Sequence, residues 1–497
     1  MNINARHLLT DEQMTQFITA GYVRIDTPDI AQSHAEVCTQ IETAFEEGNP
    51  GNAILPKAPA LYDVIEHPAF CGAAASLLGD DYWVCAHRHP HMTQPNSDKQ
   101  ALHQDGTQRK LQGWSRPWFR HHRTRKLLVV YFPEAVPAEM GPTGVLPGSQ
   151  YYNHQPTGQD AIEKMLVSPA GAVYLCHFDI WHRANANQSD RRRLMVKFVL
   201  SRKSEPAAPS WNHDANFTPD FNAIAAKARE EEGPLTNQRL PNLWRSLWRW
   251  HAGLQPESGD GDASTDASEN LQADLSRIAS ARIDPQSSSA DANSDASTEA
   301  SEDQQVGLPT NHSPAEPFDE GQTIEAAYRL ARHPSFATPA LVQIIREQEG
   351  LPREFAALSL AAMSAPGSDA LVDLANDDNP ELRIIATDML AAMGRDAAGK
   401  LAAVLPSLKA DDVWVRHNVL NAMAVWGRAS LPAQREIEQA LDDAEPWVRY
   451  NAMLALTGLG NADALPAARL KQLAEDHAPN VQWLAKELLG EHSRQTA

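Results

Sequence analysis

The residues best suited to chemistry are a histidine and an aspartate one apart, in Leu102-His103-Gln104-Asp105-Gly106. On a strand, side chains two residues apart share a face, so this imidazole and carboxylate can bind one metal along two edges. A third ligand from a distant strand completes a facial triad. That 2-His-1-carboxylate arrangement suits non-haem Fe(II) and leaves three octahedral positions open for a cosubstrate and O2. His182, in HFDIWHRANANQSDRRR, supplies the third ligand. Arg193 lies 11 residues later, where a new apolar run begins. It can return to the same cavity and offer a bidentate fork to a carboxylate. Together these groups meet the demands of 2-oxoglutarate, whose 1-carboxylate and keto oxygen chelate iron while its far carboxylate needs a buried cation. Arg191 and Arg192 compete with Arg193 for that role; alternation places Arg191 and Arg193 on one face and Arg192 on the other.

Other clusters carry rival readings. His177 and Asp179 form a second His-x-Asp pair, too close to His182 to replace the first comfortably. His87, His89 and His91 share one face of a strand; they either form a second metal site or hydrogen-bond within a polar cavity. The stretch from Arg109 to Lys126 holds seven basic residues (Arg109, Lys110, Arg116, Arg120, Arg123, Arg125 and Lys126) and no acid, with Trp118 among its aromatics. It reads as a solvated basic loop, as a guide for an anionic substrate, or as a contact for the acidic linker at 256–322.

The elements that must position these residues fall in the first 255. LLTDEQMTQFITAGYVRI opens with Thr10 three residues ahead of Gln13, a capping box, and the helix stops near Gly21. A second helix spans roughly 30–47. Beyond it, short β-like runs (DYWVCAHRH, KLLVVYFP, GVLPGS, AVYLCHF, LMVKFVL) alternate with Pro- and Gly-marked loops. In PNLWRSLWRWHAG, Leu243, Leu247 and Trp250 recur at helical spacing, which predicts a helix sealing the β structure. Helices first and short strands later indicate an α+β or β-barrel fold.

The remainder is of two kinds. Residues 256–322 carry 15 acidic and two basic residues, a net −13 of the chain's −21, in a Ser-, Ala-, Asp- and Gly-rich stretch. This composition predicts a disordered linker extended by self-repulsion, with an apolar patch at Leu271, Leu275, Ile278 and Ile283 able to form a transient helix. Residues 323–497 look wholly helical and repetitive. Asn379-Pro-Glu-Leu-Arg383, Asp412-Val-Trp-Val-Arg416, Glu445-Pro-Trp-Val-Arg449 and Pro479-Asn-Val-Gln482 recur at 33-residue steps, and Gly394, Gly427 and Gly460 follow at the same interval. A fixed period with two helices per unit marks an α-solenoid. Trp414, Trp426, Trp447 and Trp483 are expected mostly in its core.

Global signals exclude more than they assign. The net charge argues against binding nucleic acid or an anionic membrane over the whole surface. Four cysteines with no CxxC pair do not make a disulfide framework. The N-terminus lacks a basic-then-apolar signal pattern, and no run of 18 apolar residues predicts a membrane span. A cytoplasmic, reducing setting is the expectation.

The first half resembles the phytanoyl-CoA dioxygenase (PhyH) family over roughly residues 8–252. The matching pieces occur in order: the opening helix; His103 and Asp105; the loop of Gly141, Pro142, Thr143, Pro147, Gly148 and Ser149; and His182, Asn187, Ser189 and Arg193. The resemblance implies a multidomain chain whose residues 1–255 fold as a double-stranded β-helix (jelly roll). It implies iron on His103, Asp105 and His182, and 2-oxoglutarate on Arg193. The expected activity is a dioxygenase hydroxylating a C–H bond of a small molecule or acyl thioester, possible anions included, with O2 as oxidant and succinate and CO2 as co-products. Asp105 fills the carboxylate position that a halide would need, which disfavours halogenation. The repeats resemble HEAT repeats of the phycobilisome-lyase type, in which Asp and Arg bridge neighbouring units. That resemblance keeps two alternatives in view: a non-catalytic scaffold acting through the solenoid, and an oxygenase whose protein partner is its substrate.

Overall fold

In the computed structural model the described residues are 4–105, 122–155, 162–231, 240–257, 265–282, 318–363, 365–461 and 464–495. The first helix, Asp11–Ala20, begins with the capping box: the Thr10 hydroxyl accepts from the Gln13 amide, and the Gln13 side chain accepts from the Thr10 amide. It ends at Gly21 in the left-handed region.

Among the described residues eight strands follow in chain order: β1 (Tyr22–Asp26), β2 (Trp83–Thr93), β3 (Lys126–Phe132), β4 (Thr143–Val145), β5 (Lys164–Met165), β6 (Ala172–His177), β7 (His182–Ala184) and β8 (Arg193–Ser201). Among the described residues they form a five-stranded sheet, β1-β6-β3-β8-β2, and a three-stranded sheet, β5-β4-β7, both antiparallel. Every residue of β3 and β6 is buried, which explains why KLLVVYF and AVYLCH read as continuous apolar runs rather than alternating ones. One face of the large sheet packs on helices; Tyr131, for example, meets His34 of the helix Ala31–Glu46 at 2.8 Å. On the other face, directly opposed pairs place His89 with Lys197, His91 with Met195 and Thr93 with Arg193. The helix Pro241–His251 buries Leu243, Trp244, Leu247, Trp248 and Trp250, as its spacing predicts.

In the C-terminal part, the helices Pro380–Met393, Val413–Trp426, Pro446–Gly458 and Pro479–Gln495 begin 33 residues apart and pack in succession. Arg416 gives two hydrogen bonds to Asp443 (2.8 and 3.0 Å), and Arg449 gives two to Asp476 (2.8 and 2.7 Å), so each ties its unit to the next. Arg383 keeps the inner half of this pattern, donating to the Asp377 and Asp378 carbonyls, but Ala410 stands where the bridging acid would be. Of the four repeat tryptophans Trp426 is buried, Trp414 and Trp447 are half-buried, and Trp483 is 44% exposed, so the core expectation fails for Trp483.

Residues 256–322 are not a spacer throughout. Thr265–Ala279 is a helix whose Leu271, Leu275 and Ile278 are buried, and Asp274 takes two hydrogen bonds from Arg329. The apolar patch wins over the acidic composition because the helices Glu320–Leu330 and Leu351–Ala362 supply a surface to cover. Nor does the helical part hang free. Arg123 bridges to Asp396 at 2.7 Å and donates to the Met393 carbonyl; Arg395 donates to the Pro206 and Leu254 carbonyls; Glu320 accepts from the amides of Asn153 and His154. Gly394 sits at this seam with positive φ, and a Cβ there would collide with Glu205 and Arg125, which pair with each other. All four cysteines are free. Among the described residues no helix is long and apolar enough to cross a membrane.

Candidate active site

His103 and His182 are brought together by their own backbones. Each amide donates to the other's carbonyl at 3.0 Å, an isolated antiparallel bridge that sets the two rings 4.5 Å apart. Each ring's Nδ1 lies within hydrogen-bond reach of the carbonyl two residues earlier, Ala101 for His103 (3.0 Å) and Ile180 for His182 (2.9 Å). Those bonds assign the Nδ1–H tautomer and leave both Nε2 lone pairs for a metal. Asp105 follows in a turn rather than on a strand, yet its carboxylate converges as the His-x-Asp spacing predicts: Oδ1 is 3.9 Å from His182 Nε2. The ligand atoms of His103, Asp105 and His182 all lie within 4.8 Å of one another, and among the described residues no other group of three does so.

The protonation states suit ligation. Burial pushes the His182 pKa down to about 4, against the opposing pull of Asp105, so the ring is neutral at pH 7. Burial alone would raise Asp105, but the charges of His182 and Lys197 and the Lys197 hydrogen bond outweigh it and hold the carboxyl at about 2. Lys197 Nζ donates to Asp105 Oδ2 at 2.9 Å. The sequence reading missed this residue. Its signal was a lone lysine four residues after Arg193 in an otherwise apolar strand, a spacing that returns it to the same face.

Arg193, the first residue of β8, is 1% exposed. Its Nη2 donates to Thr93 Oγ1 at 2.8 Å, its Nη1 donates to the Gly141 carbonyl, and its buried Nε has no partner. No carboxylate pairs with it among the described residues. Its rivals are already engaged: Arg191 pairs with Glu134 at 3.0 Å, and Arg192 with Glu42 and Glu134. Asn187 explains the motif around it. Fully buried, its amide donates to the Gln94 and Arg191 carbonyls while its Oδ1 accepts from Ser189, a knot that turns the chain into β8. Gly141, at φ 63°, packs so closely on the Ala186 carbonyl that a Cβ would collide. The residues therefore fit a single metal ion accompanied by a dicarboxylate: three convergent donors, and a buried guanidinium with an unused donor.

His87, His89 and His91 lie on β2, where His89 is paired with Lys197 and His91 with Met195 of β8, and they do not gather a second metal cluster among the described residues. Burial pushes His87 down to about 4 and His91 to about 3, and the buried Nε2 of His91 has no partner. His177 and Asp179 stand apart from the triad; His177 packs against Phe17 and Tyr151 on the helical side. Trp118, Arg109, Lys110, Arg116 and Arg120 lie outside the described residues. Arg123 and Arg125 are not solvated: they are committed to Asp396 and Glu205.

Residues 4–195 match the family described as phytanoyl-CoA dioxygenase (PhyH), ending two residues beyond Arg193. No curated protein matches the chain. Among solved structures, it is similar to the non-heme alpha ketoglutarate dependent epimerase SnoN from nogalamycin biosynthesis (18% identity over 39% of this chain and 83% of that one, TM-score 0.32). It is also similar to HygX from Streptomyces hygroscopicus with nickel and 2-oxoglutarate bound (13% identity, 39% of this chain and 88% of that one, TM-score 0.32). A third is the non-heme monooxygenase ThoJ in its nickel complex (19% identity, 46% and 99%, TM-score 0.31).

Proposed function

We propose that the phytanoyl-CoA dioxygenase domain carried by residues 4–195 works as an Fe(II)- and 2-oxoglutarate-dependent dioxygenase. In this reading it hydroxylates a C–H bond of a small-molecule or thioester substrate and releases succinate and CO2. The observation that carries the reading is Arg193: a buried guanidinium with no carboxylate of its own among the described residues, four residues along β8 from Lys197, which bonds the Asp105 of the three-donor cluster. His103 Nε2, His182 Nε2 and an Asp105 oxygen would hold the metal, and Arg193 would receive the far carboxylate of 2-oxoglutarate. When bound, iron with 2-oxoglutarate and O2 supplies the oxidising power for C–H hydroxylation. The chain's part is positioning. Ala101 and Ile180 fix the imidazole tautomers, Lys197 orients Asp105, and Thr93 and Gly141 hold the Arg193 fork. His91, half-buried and neutral with a buried, unpartnered Nε2, offers a further contact to a ligand oxygen.

The same reading takes the two sheets as a double-stranded β-helix within residues 1–255, and 323–497 as a HEAT-like solenoid. Its test is a screen of small-molecule and acyl-thioester substrates read by succinate release. Substrate-dependent succinate that requires iron supports it; succinate release that persists in His103→Ala would sink the assignment.

A further inference from the structure

A pocket of about 310 Å³, mouth included, lies where the helix Pro241–His251 of the sheet domain meets the helix Glu320–Leu330 of the C-terminal part. Its place follows from the amphipathic first helix. Leu243, Leu247 and Trp250 take one side into the core, while Asn242, Arg245, Ser246 and Arg249 recur at i, i+3, i+4 and i+7 along the side that lines the pocket. Arg332, two residues past the end of the second helix, completes the wall. Arg245 and Arg249 stand one turn apart, a spacing at which like charges repel.

The fold offers these three guanidiniums little negative charge. Among the described residues Glu257 is the one acid in the lining. It divides its oxygens between two of them, 3.4 Å from Arg249 and 3.5 Å from Arg332, and all three side chains are in part exposed. Arg245 and Arg332 share a neutral acceptor, Asn242 Oδ1, at 3.1 and 3.3 Å. The buried Nε of Arg332 has no partner. Acids further back are committed: Glu325 accepts from the backbone and side-chain nitrogens of Asn242, and Asp274 takes two hydrogen bonds from Arg329. Three guanidiniums thus converge on one carboxylate and one amide oxygen, an excess of positive charge that an anion would offset. Their forks come from two helices and not from one plane. Phosphate, with oxygens set around a tetrahedron and charge-assisted bidentate bonds to arginine, fits such an array better than a planar carboxylate does.

We propose that this pocket binds a phosphate group, free or on a small molecule, held by Arg245, Arg249 and Arg332 across the seam between the two halves of the chain. Such a ligand ties the sheet domain to the C-terminal helices. The proposal does not rest on the oxygenase reading, since none of these residues belongs to the metal cluster or holds Arg193.

The test is calorimetric titration of the full chain with inorganic phosphate and with glycerol 3-phosphate, each repeated in excess 2-oxoglutarate. At least one of the two should saturate a single site that 2-oxoglutarate does not contest. Tighter binding of glycerol 3-phosphate assigns the site to phosphate esters and the reverse order to the free anion; either upholds it. Arg245→Met and Arg332→Met should each weaken binding about tenfold or more. Arg191→Met, at an exposed arginine elsewhere, should stay within about twofold. Glu257→Gln removes the competing carboxylate and should tighten binding about threefold, a gain that a damaged fold would not produce. Matching melting curves verify that the variants fold. Absence of saturation with both probes, unchanged affinity in the two arginine variants, unchanged or weaker binding in Glu257→Gln, or competition by 2-oxoglutarate overturns the proposal.

Discussion

In the C-terminal helices Arg449 is 5% exposed, and its Nε and Nη2 both meet Asp476, while its Nη1 serves two carbonyls of its own turn. In the sheet domain Arg193 is 1% exposed and meets one hydroxyl and one carbonyl, with Nε left over. Both sit in sequence motifs, and both are buried more deeply than an arginine ordinarily is. The difference is the carboxylate. Where the fold supplies one, the guanidinium joins two units of a repeat; where it does not, the proposed role of the guanidinium is to receive a carboxylate that arrives with a ligand. Burial alone does not separate a structural arginine from a binding one, but an inventory of its partners does.

Breaking the metal side of this contrast should have the largest effect. Asp105→Ala or His103→Ala should bring succinate release down to background and weaken iron binding, measured by turnover and metal titration. Arg193→Ala comes next. Removing one member of a buried charge pair costs ~2–5 kcal/mol, so the 2-oxoglutarate KM should rise about 100-fold, whereas Arg191→Ala should leave it within about twofold. An unchanged KM in Arg193→Ala would transfer the anchor elsewhere.

On the structural side, Arg449→Met should lower stability to denaturant by roughly 1–3 kcal/mol by orphaning Asp476, and leave the 2-oxoglutarate KM unmoved. This loss should depend on pH. Burial would raise the Asp476 pKa, but the hydrogen bond and charge of Arg449 hold it below the ordinary 3.8. A depressed carboxyl stabilises fully above its unfolded value and loses that contribution as pH falls through the folded one. The gap between wild type and Arg449→Met should therefore shrink below pH 3.8. The smallest effect is a gain: Ala410→Asp places an acid 27 residues after Arg383, the spacing of the other bridges, and should stabilise by about 0.5–1 kcal/mol.

Much of this site was legible because the signals were local in sequence. The His-x-Asp spacing, the 11 residues from His182 to Arg193 and the Asn187–Ser189 turn each encode a short geometry that the fold keeps. Arg193 was preferred from the sequence, but the engagement of its rivals Arg191 and Arg192 was not legible, since it depends on Glu42 and Glu134 from distant elements. Lys197 was overlooked because its partner Asp105 lies 92 residues earlier. The 33-residue period located the helices, but composition misjudged Thr265–Ala279: average acidity says little about Leu271, Leu275 and Ile278, which find a surface; Ile283 lies outside the described residues. The docking of the two halves through Arg123 and Arg395 was likewise not legible: the sequence offered the acidic stretch 256–322 as a contact for the basic residues, whereas Arg123 pairs with Asp396 of the repeats.

The most direct measurement is anaerobic addition of Fe(II) and 2-oxoglutarate to the full chain, followed by visible absorption. A weak charge-transfer band that appears only with both additions, vanishes in Asp105→Ala, and needs far more 2-oxoglutarate in Arg193→Ala is the predicted result. No band in the wild type, or a band undiminished in Asp105→Ala, would contradict the assignment of these residues to an iron–2-oxoglutarate centre.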